Sequence, residues 1–366
     1  MRDLLNIGDE FVRIVFLLLG GGLVATAGPT ILWYGQPAVK WVDALPFGNG
    51  RLGGMVFGGV EKEHIQLNED TVWNGRKRDR INPEAAKFLP EVRRLLFEGK
   101  PLEATKLEDE KLMGIPTRQP PYQPLGDVTL TFAGHENVQD YRRELDLATG
   151  IVRVTYRIGN ARFTREVFAS APDQAIVMRF SSNEPSRISV RIELSREQDS
   201  RIIAVQPDRL VMTGEAIAHT NAWITPNLNP ERLAAERAQL EGTGVKFQAA
   251  LRAQATGGTI SVDGNQLSVT KADALTILLV AATKYRGGDP ALACERSLSG
   301  LTRPFAQLRS AHIADHQALF NRVELNLGLS DNAVESLPTD ERLARCAMAN
   351  PIPICPRSTF NSDATC

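Results

Sequence analysis

From Val128 to Ala281 the chain alternates between apolar and polar residues in one short run after another. No other feature constrains its fold as tightly. Val128-Thr129-Leu130-Thr131-Phe132, Val152-Arg153-Val154-Thr155-Tyr156 and Phe163-Thr164-Arg165-Glu166-Val167-Phe168 each repeat with a period of two. That period places the apolar side chains on one face of a strand. Further strands are expected at Ala175 to Phe180, Ile188 to Leu194, Leu210 to Thr213, Val245 to Ala253, Thr259 to Val262 and Leu275 to Ala281. Many short strands with turn residues between them fold as an antiparallel sandwich. The expected class is therefore mainly β, an antiparallel sandwich with inserted helices.

Two helical inserts are expected. Asn82-Pro83-Glu84 offers an N-cap, a proline at the first helical position and an acid in the first turn. Leu89, Val92, Leu95 and Leu96 form its apolar stripe, and Gly99-Lys100-Pro101 ends it before a second helix from Leu102 to Met113. A polar helix from Asn229 to Leu240 interrupts the later strands.

Gly48-Asn49-Gly50-Arg51-Leu52-Gly53 fits the spacing of a dinucleotide-binding loop. That loop needs a helix directly after it. Here the glycines lead into Met55-Val56-Phe57 and then Ile65 and Leu67 alternating with polar neighbours, which reads as strands and turns. The glycines are expected to serve bulges or close backbone approach. The net charge of −1 gives no basic surface for nucleic acid or an anionic membrane. Arg76-Lys77-Arg78-Asp79-Arg80 is the one dense basic run and reads as a solvated loop or, more sharply, as a contact for an anionic ligand.

At the start of the chain, Arg13 precedes the apolar run Ile14 to Leu23, and Ala25-Thr26-Ala27 forms a small-x-small site. This is the layout of a signal peptide over residues 1–27, too short for a membrane span. Asp3, Asp9 and Glu10 make its leading region acidic, which fits a true start further downstream. A secreted or periplasmic location is expected, with no membrane association after cleavage. Past Pro290 the pattern is helical, with Leu298, Leu301, Phe305 and Leu308 on one face. Val323 to Leu327 then alternates as a returning strand, and Asp340 to Ala349 begins another helix.

Chemistry-bearing motifs are few. Cys294, Cys346, Cys355 and Cys366 form no C-x-x-C pair. His312 and His316 share a helical face, but the zinc-protease pattern needs Glu where Ile313 stands. Helix packing or a polar cap on the linker is the expected role, and no metal or cofactor is expected. There is no nucleophile elbow and no phosphate loop. The most suggestive cluster is Asn68-Glu69-Asp70-Thr71-Val72-Trp73-Asn74-Gly75. Sugars are held by stacking on an aromatic face and by planar polar groups that match their hydroxyls. The same residues would also suit a strand-end loop whose Asn and Asp bond the backbone.

The stretch LWYGQPAVKWVDALPFGNGRLGGMVFGGVEKEHIQLNEDTVWNG resembles the opening of glycoside hydrolase family 95, the inverting α-L-fucosidases. NPEAAKFLPEVRRLLFEGKPLEA, RQPPYQPLGDVTLTF, DYRRELDLATGIVRVTY and FTREVFASAPDQAIVMRF agree with it, and DHQALFNRVELNLG resembles that family's interdomain linker. The resemblance implies a β-super-sandwich, a helical linker, an (α/α)6 barrel holding the catalytic acid and base, and a C-terminal β-domain. It implies boundaries of 30–289 for the sandwich, 290–337 for the linker with its returning strand, and 338–366 for the start of the barrel and an aberrant tail. On this reading the barrel is absent from the chain as an intramolecular partner, and no catalytic residue is assigned. Asn68, Glu69, Trp73 and Tyr122, chosen for polarity, are the substrate-contact candidates for a fucosylated glycan.

The tail CPRSTFNSDATC has no amphipathic period. One degenerate coding of it, read from the third base, gives PALYFQFGRYL, which has helical, aromatic-rich character. The expectation is a frameshift after about Asn350. The alternatives are a free-standing sugar-binding sandwich without activity, and a folding fragment whose linker helices expose an apolar face meant for the barrel.

Overall fold

The computed structural model describes residues 30–74, 79–115, 121–217, 242, 244–325, 334 and 336–348. The signal-peptide region, the helix expected at 229–240 and the tail from residue 349 lie outside the described residues.

The alternating runs form two antiparallel sheets. The first strands are β1 (Ile31–Tyr34), β2 (Leu45–Gly48), β3 (Leu52–Val56), β4 (Lys62–Glu69) and β5 (Gly126–Phe132). They are followed by β6 (Gln139–Asp146), β7 (Ile151–Ile158), β8 (Ala161–Ser170), β9 (Ala175–Ser182) and β10 (Ile188–Ser195). The last are β11 (Ser200–Val205), β12 (Arg209–Ala216), β13 (Val245–Thr256), β14 (Thr259–Asp263), β15 (Gln266–Ala272) and β16 (Ala274–Thr283). One sheet runs β1-β6-β7-β8-β9-β16-β13-β12-β11 and the other β14-β15-β10-β5-β4-β3-β2. Their inner faces meet in one core that includes Phe47, Ile65, Leu67, Leu130, Phe132, Phe180, Met212 and Leu279. β6, β11 and β15 were not legible from alternation, because β6 carries Asp140, Arg142, Arg143 and Glu144 in succession around Tyr141.

The glycine-rich segment is a hairpin of β2 and β3. Asn49 Oδ1 accepts the amides of Arg51 (3.0 Å) and Leu52 (2.8 Å), and Gly50 turns the corner at φ 82°. At Gly54 a Cβ would lie 2.4 Å from the Gln66 carbonyl oxygen, so close strand approach explains that glycine.

The first insert is a helical hairpin between β4 and β5, of α1 (Ala85–Phe97) and α2 (Pro101–Lys111). α1 begins after the expected Asn82 cap. Asn82 instead bonds the Glu84 amide and donates to the Lys111 and Met113 carbonyls, tying the two ends of the hairpin together. The expected stripe is only half used. Val92 and Leu95 are buried against Ala104, while Leu89 and Leu96 are exposed, because α2 is too narrow a partner to cover four positions.

After β16 come α3 (Pro290–Gly300), α4 (Phe305–Phe320) and α5 (Thr339–Met348). Asp289 caps α3 by accepting the Ala291 amide at 2.8 Å. Leu298, Leu301 and Leu308 pack on the outer face of the nine-stranded sheet, against Ile151, Phe168, Val177, Leu278 and Val280. The sandwich covers that stripe and β16 is buried on both sides, while Leu292 and Leu319 of the same helices stay exposed. The expected returning strand is only partly within the described residues. Val323 to Leu325 lie in no described strand, and Val323 is 65% exposed; Asn326 and Leu327 lie outside the described residues. Among the described residues no helical barrel is formed.

Candidate functional site

Strand β4 decides where the candidate residues point. Its alternation sends Glu63, Ile65, Leu67 and Glu69 into the sandwich and leaves Lys62, His64, Gln66 and Asn68 on the outer face. The adjacent candidates Asn68 and Glu69 therefore face opposite ways. Asn68, Trp73 and Tyr122 come together outside, and the Glu69 carboxylate does not join them.

Trp73 and Tyr122 form an isolated antiparallel bridge beyond the end of β4. Their rings meet edge to face, 5.4 Å apart at 66°. The Trp73 indole N–H donates to the Asp70 carbonyl at 2.9 Å. The Tyr122 hydroxyl lies 3.0 Å from the Glu69 carbonyl and 3.2 Å from Asn68 Oδ1, and shares its proton between them. Burial, then the charge of Glu69, pushes that phenol up to about 12. Both rings stay exposed, Trp73 at 40% and Tyr122 at 38%. Large aromatic rings held this firmly at the surface present a ready stacking platform.

The Glu69 carboxylate is buried. Its Oε2 accepts the amide and the hydroxyl of Thr71, both at 2.7 Å, and the Thr71 hydroxyl contacts that of Thr283. Burial raises its affinity for a proton, and the Thr71 hydrogen bonds oppose part of that rise. Arg51 Nη1 lies 3.6 Å from Glu69 Oε1 and donates to Ala281 O at 2.8 Å, while Nε donates to Gln174 Oε1 at 2.6 Å. Asp70 pairs with the exposed Arg286. Arg51, Thr283 and Arg286 are rim residues that sequence reasoning missed. They reach this corner from as far as 216 positions away, so no local spacing announces them.

His312 and His316 prove to be packing residues. His312 stacks on Phe168 at 4.6 Å and donates from Nε2 to the Thr149 carbonyl (2.9 Å). His316 Nε2 donates to the Leu147 carbonyl (2.8 Å), so both nitrogens are spent on fixing α4 to the sandwich. Among the described residues no cluster of three metal-ligating side chains occurs.

The carboxylates of Glu69 and Asp70 in this rim lie within hydrogen-bond reach of each other, closer than an inverting acid–base pair. Glu63 and Glu69 are the buried glutamates of β4, and six residues of strand separate them by about 20 Å, beyond the 6.5–9.5 Å of an inverting pair.

Residues 32–288 match the family described as glycosyl hydrolase family 65, N-terminal domain, and residues 304–355 match the glycosyl hydrolase family 95 catalytic domain. Alpha-L-fucosidase 2 of Arabidopsis thaliana is 35% identical over 334 residues, 86% of this chain and 39% of that protein. The "Probable alpha-fucosidase A" of Aspergillus oryzae is 28% identical over 337 residues, 85% of this chain and 43% of that protein. The chain thus spans about two fifths of the length of the curated relatives it matches. With a sandwich of two antiparallel sheets that runs into family 95 sequence, the chain belongs to the glycosyl hydrolase family 65 N-terminal-domain family.

Proposed function

We propose that this chain is the front part of a glycoside hydrolase that removes terminal α-L-fucosyl groups from glycans with inversion. The observation that carries the reading is the 35% identity to Alpha-L-fucosidase 2, sustained over 334 residues. In this account the catalytic carboxylates belong to the family 95 catalytic domain, and the described sandwich contributes the wall that Asn68, Trp73 and Tyr122 build. The spacing of Glu63 and Glu69 supports placing the acid and base elsewhere. Export is part of the same proposal and rests on the apolar run Ile14 to Leu23 ahead of Ala25-Thr26-Ala27.

The test uses an aryl α-L-fucoside. The chain alone is expected to release no aryl alcohol above background. Substituted for the corresponding part of a full-length fucosidase, it is expected to support hydrolysis, with β-L-fucose as the first product. Turnover by the chain alone at the rate of a full-length relative would overturn the division of labour. Retention of configuration by the chimera would overturn the inverting mechanism.

A further inference from the structure

The outer face of β4 carries a second aromatic anchor that the reading above does not use. The indole N–H of Trp41 donates to Gln66 Oε1 at 2.6 Å, and Trp41 is 53% exposed. Gln66 and Asn68 are two residues apart on that face, so their Cα atoms lie about 6.8 Å apart along the strand. One holds Trp41 and the other holds Tyr122, which packs on Trp73. Each amide spends its oxygen on an aromatic side chain. Among the described residues, neither Gln66 Nε2 nor Asn68 Nδ2 donates to a protein atom.

The surroundings continue the pattern. Asp127 stands opposite Gln66 on β5, and its carboxylate takes the His64 imidazole at 2.6 Å. His64 stacks on Phe57 at 4.6 Å. The His64–Asp127 pair stays partly open, with side-chain exposures of 41% and 30%. The face therefore joins exposed rings, two amide donors without protein partners and a carboxylate acceptor. Neutral sugars are recognised by that combination of flat apolar faces and planar hydrogen-bonding groups.

We infer that Trp41 and Gln66 form a second carbohydrate subsite, continuous along β4 with the Asn68–Trp73–Tyr122 rim, so that one neutral oligosaccharide spans both. The inference rests on the proposed sugar contact at Trp73. It assigns the Trp73 end to the terminal fucosyl ring and the Trp41 end to the next sugars of the chain. A monosaccharide engages only the first, and an oligosaccharide engages both.

Calorimetric titration of the chain with free L-fucose and with a fucosylated trisaccharide separates the two claims. Trp41→Ala is expected to weaken the trisaccharide about fivefold and leave L-fucose unchanged, while Trp73→Ala weakens both. Gln66→Ala, which frees the indole without deleting it, is expected to reproduce the Trp41→Ala result in part, and thermal melts confirm that each variant folds. Equal trisaccharide affinity in wild type and Trp41→Ala, with Trp73→Ala still impaired, would overturn the second subsite and spare the first. Absence of heat from the wild type with either sugar would overturn the sugar contact at Trp73, and the second subsite with it.

Discussion

Glu63 and Glu69 stand on the same strand, face the same way and are both buried, yet they belong to two different kinds of structure. Glu63 sits between the sheets. It pairs with Arg165 at 3.3 Å and accepts the Gly58 amide at 2.8 Å. Arg165 donates onward to the Gly59 and Val60 carbonyls and to the Tyr156 hydroxyl, and its guanidinium covers the Phe132 ring at 4.1 Å. Burial raises the Glu63 carboxyl, and Arg165 counters part of that rise. Arg165 Nε is buried without a hydrogen-bond partner, but the cluster lies inside the sandwich, between the sheets, where it closes the fold and offers no exposed face to a ligand. Glu69 ends the strand where the sheets part, and its neighbours Asp70, Trp73 and Tyr122 reach solvent. The difference teaches that position along a strand, more than residue type, separates a fold-holding carboxylate from one that shapes a rim.

The sharpest way to break the comparison is Arg165→Ala. It strands a buried carboxylate, and the expected loss is about 3–5 kcal/mol in urea unfolding. A loss below about 1 kcal/mol would place the cluster among the dispensable features. Glu69→Ala is expected to cost less, about 1–3 kcal/mol, because it leaves the Thr71 amide and hydroxyl without their acceptor but no deeply buried charge. An equal cost at the two sites would erase the distinction.

Acid extends the contrast through two histidines. Burial holds His135 near 4, with the charge of Arg165 adding to the effect, and holds His312 near 4, with His316 adding to it. In the unfolded chain both titrate near 6.5. The unfolded state thus binds protons more readily, and stability that is full above pH 6.5 is lost as pH falls from about 6.5 to 4. His135→Phe is expected to flatten part of that slope in unfolding curves collected across the window. An unchanged slope would mean that His135 is not neutral in the fold. The smallest effect on stability belongs to the rim. Trp73→Ala is expected to shift unfolding by no more than about 0.5 kcal/mol, and a larger shift would make Trp73 a packing residue.

Much of this was legible in the sequence, and the reasons are local. Period two reported most strands, because each has one face on the core. It failed for β6, whose Arg143 is buried as a charged residue among aromatics, with its guanidinium over Tyr34 at 4.5 Å. It also failed for β11, an edge strand with little burial. The Trp73–Tyr122 pairing was half legible. Residue chemistry nominated both, but a 54-residue excursion through α1 and α2 hides that Tyr122 returns to Asn68. Glu69 was nominated for its polarity, and counting alternation from Ile65 and Leu67 would have turned it inward. The link from Asp70 to Arg286 carried no sequence signal, since it depends on how β16 ends against β4.

The most direct test of the proposed sugar contact at the rim is an amide-and-indole NMR titration of the chain with L-fucose. The four tryptophans give four indole N–H signals, assigned by single substitutions at Trp33, Trp41, Trp73 and Trp223. The account predicts that the Trp73 indole and the backbone amides of Asn68 and Tyr122 shift in a saturable way at millimolar sugar. The amides of Glu63 and Arg165 are predicted to stay in place. Signals that stay fixed at Trp73, or that move at Glu63 and Arg165 instead, would contradict it.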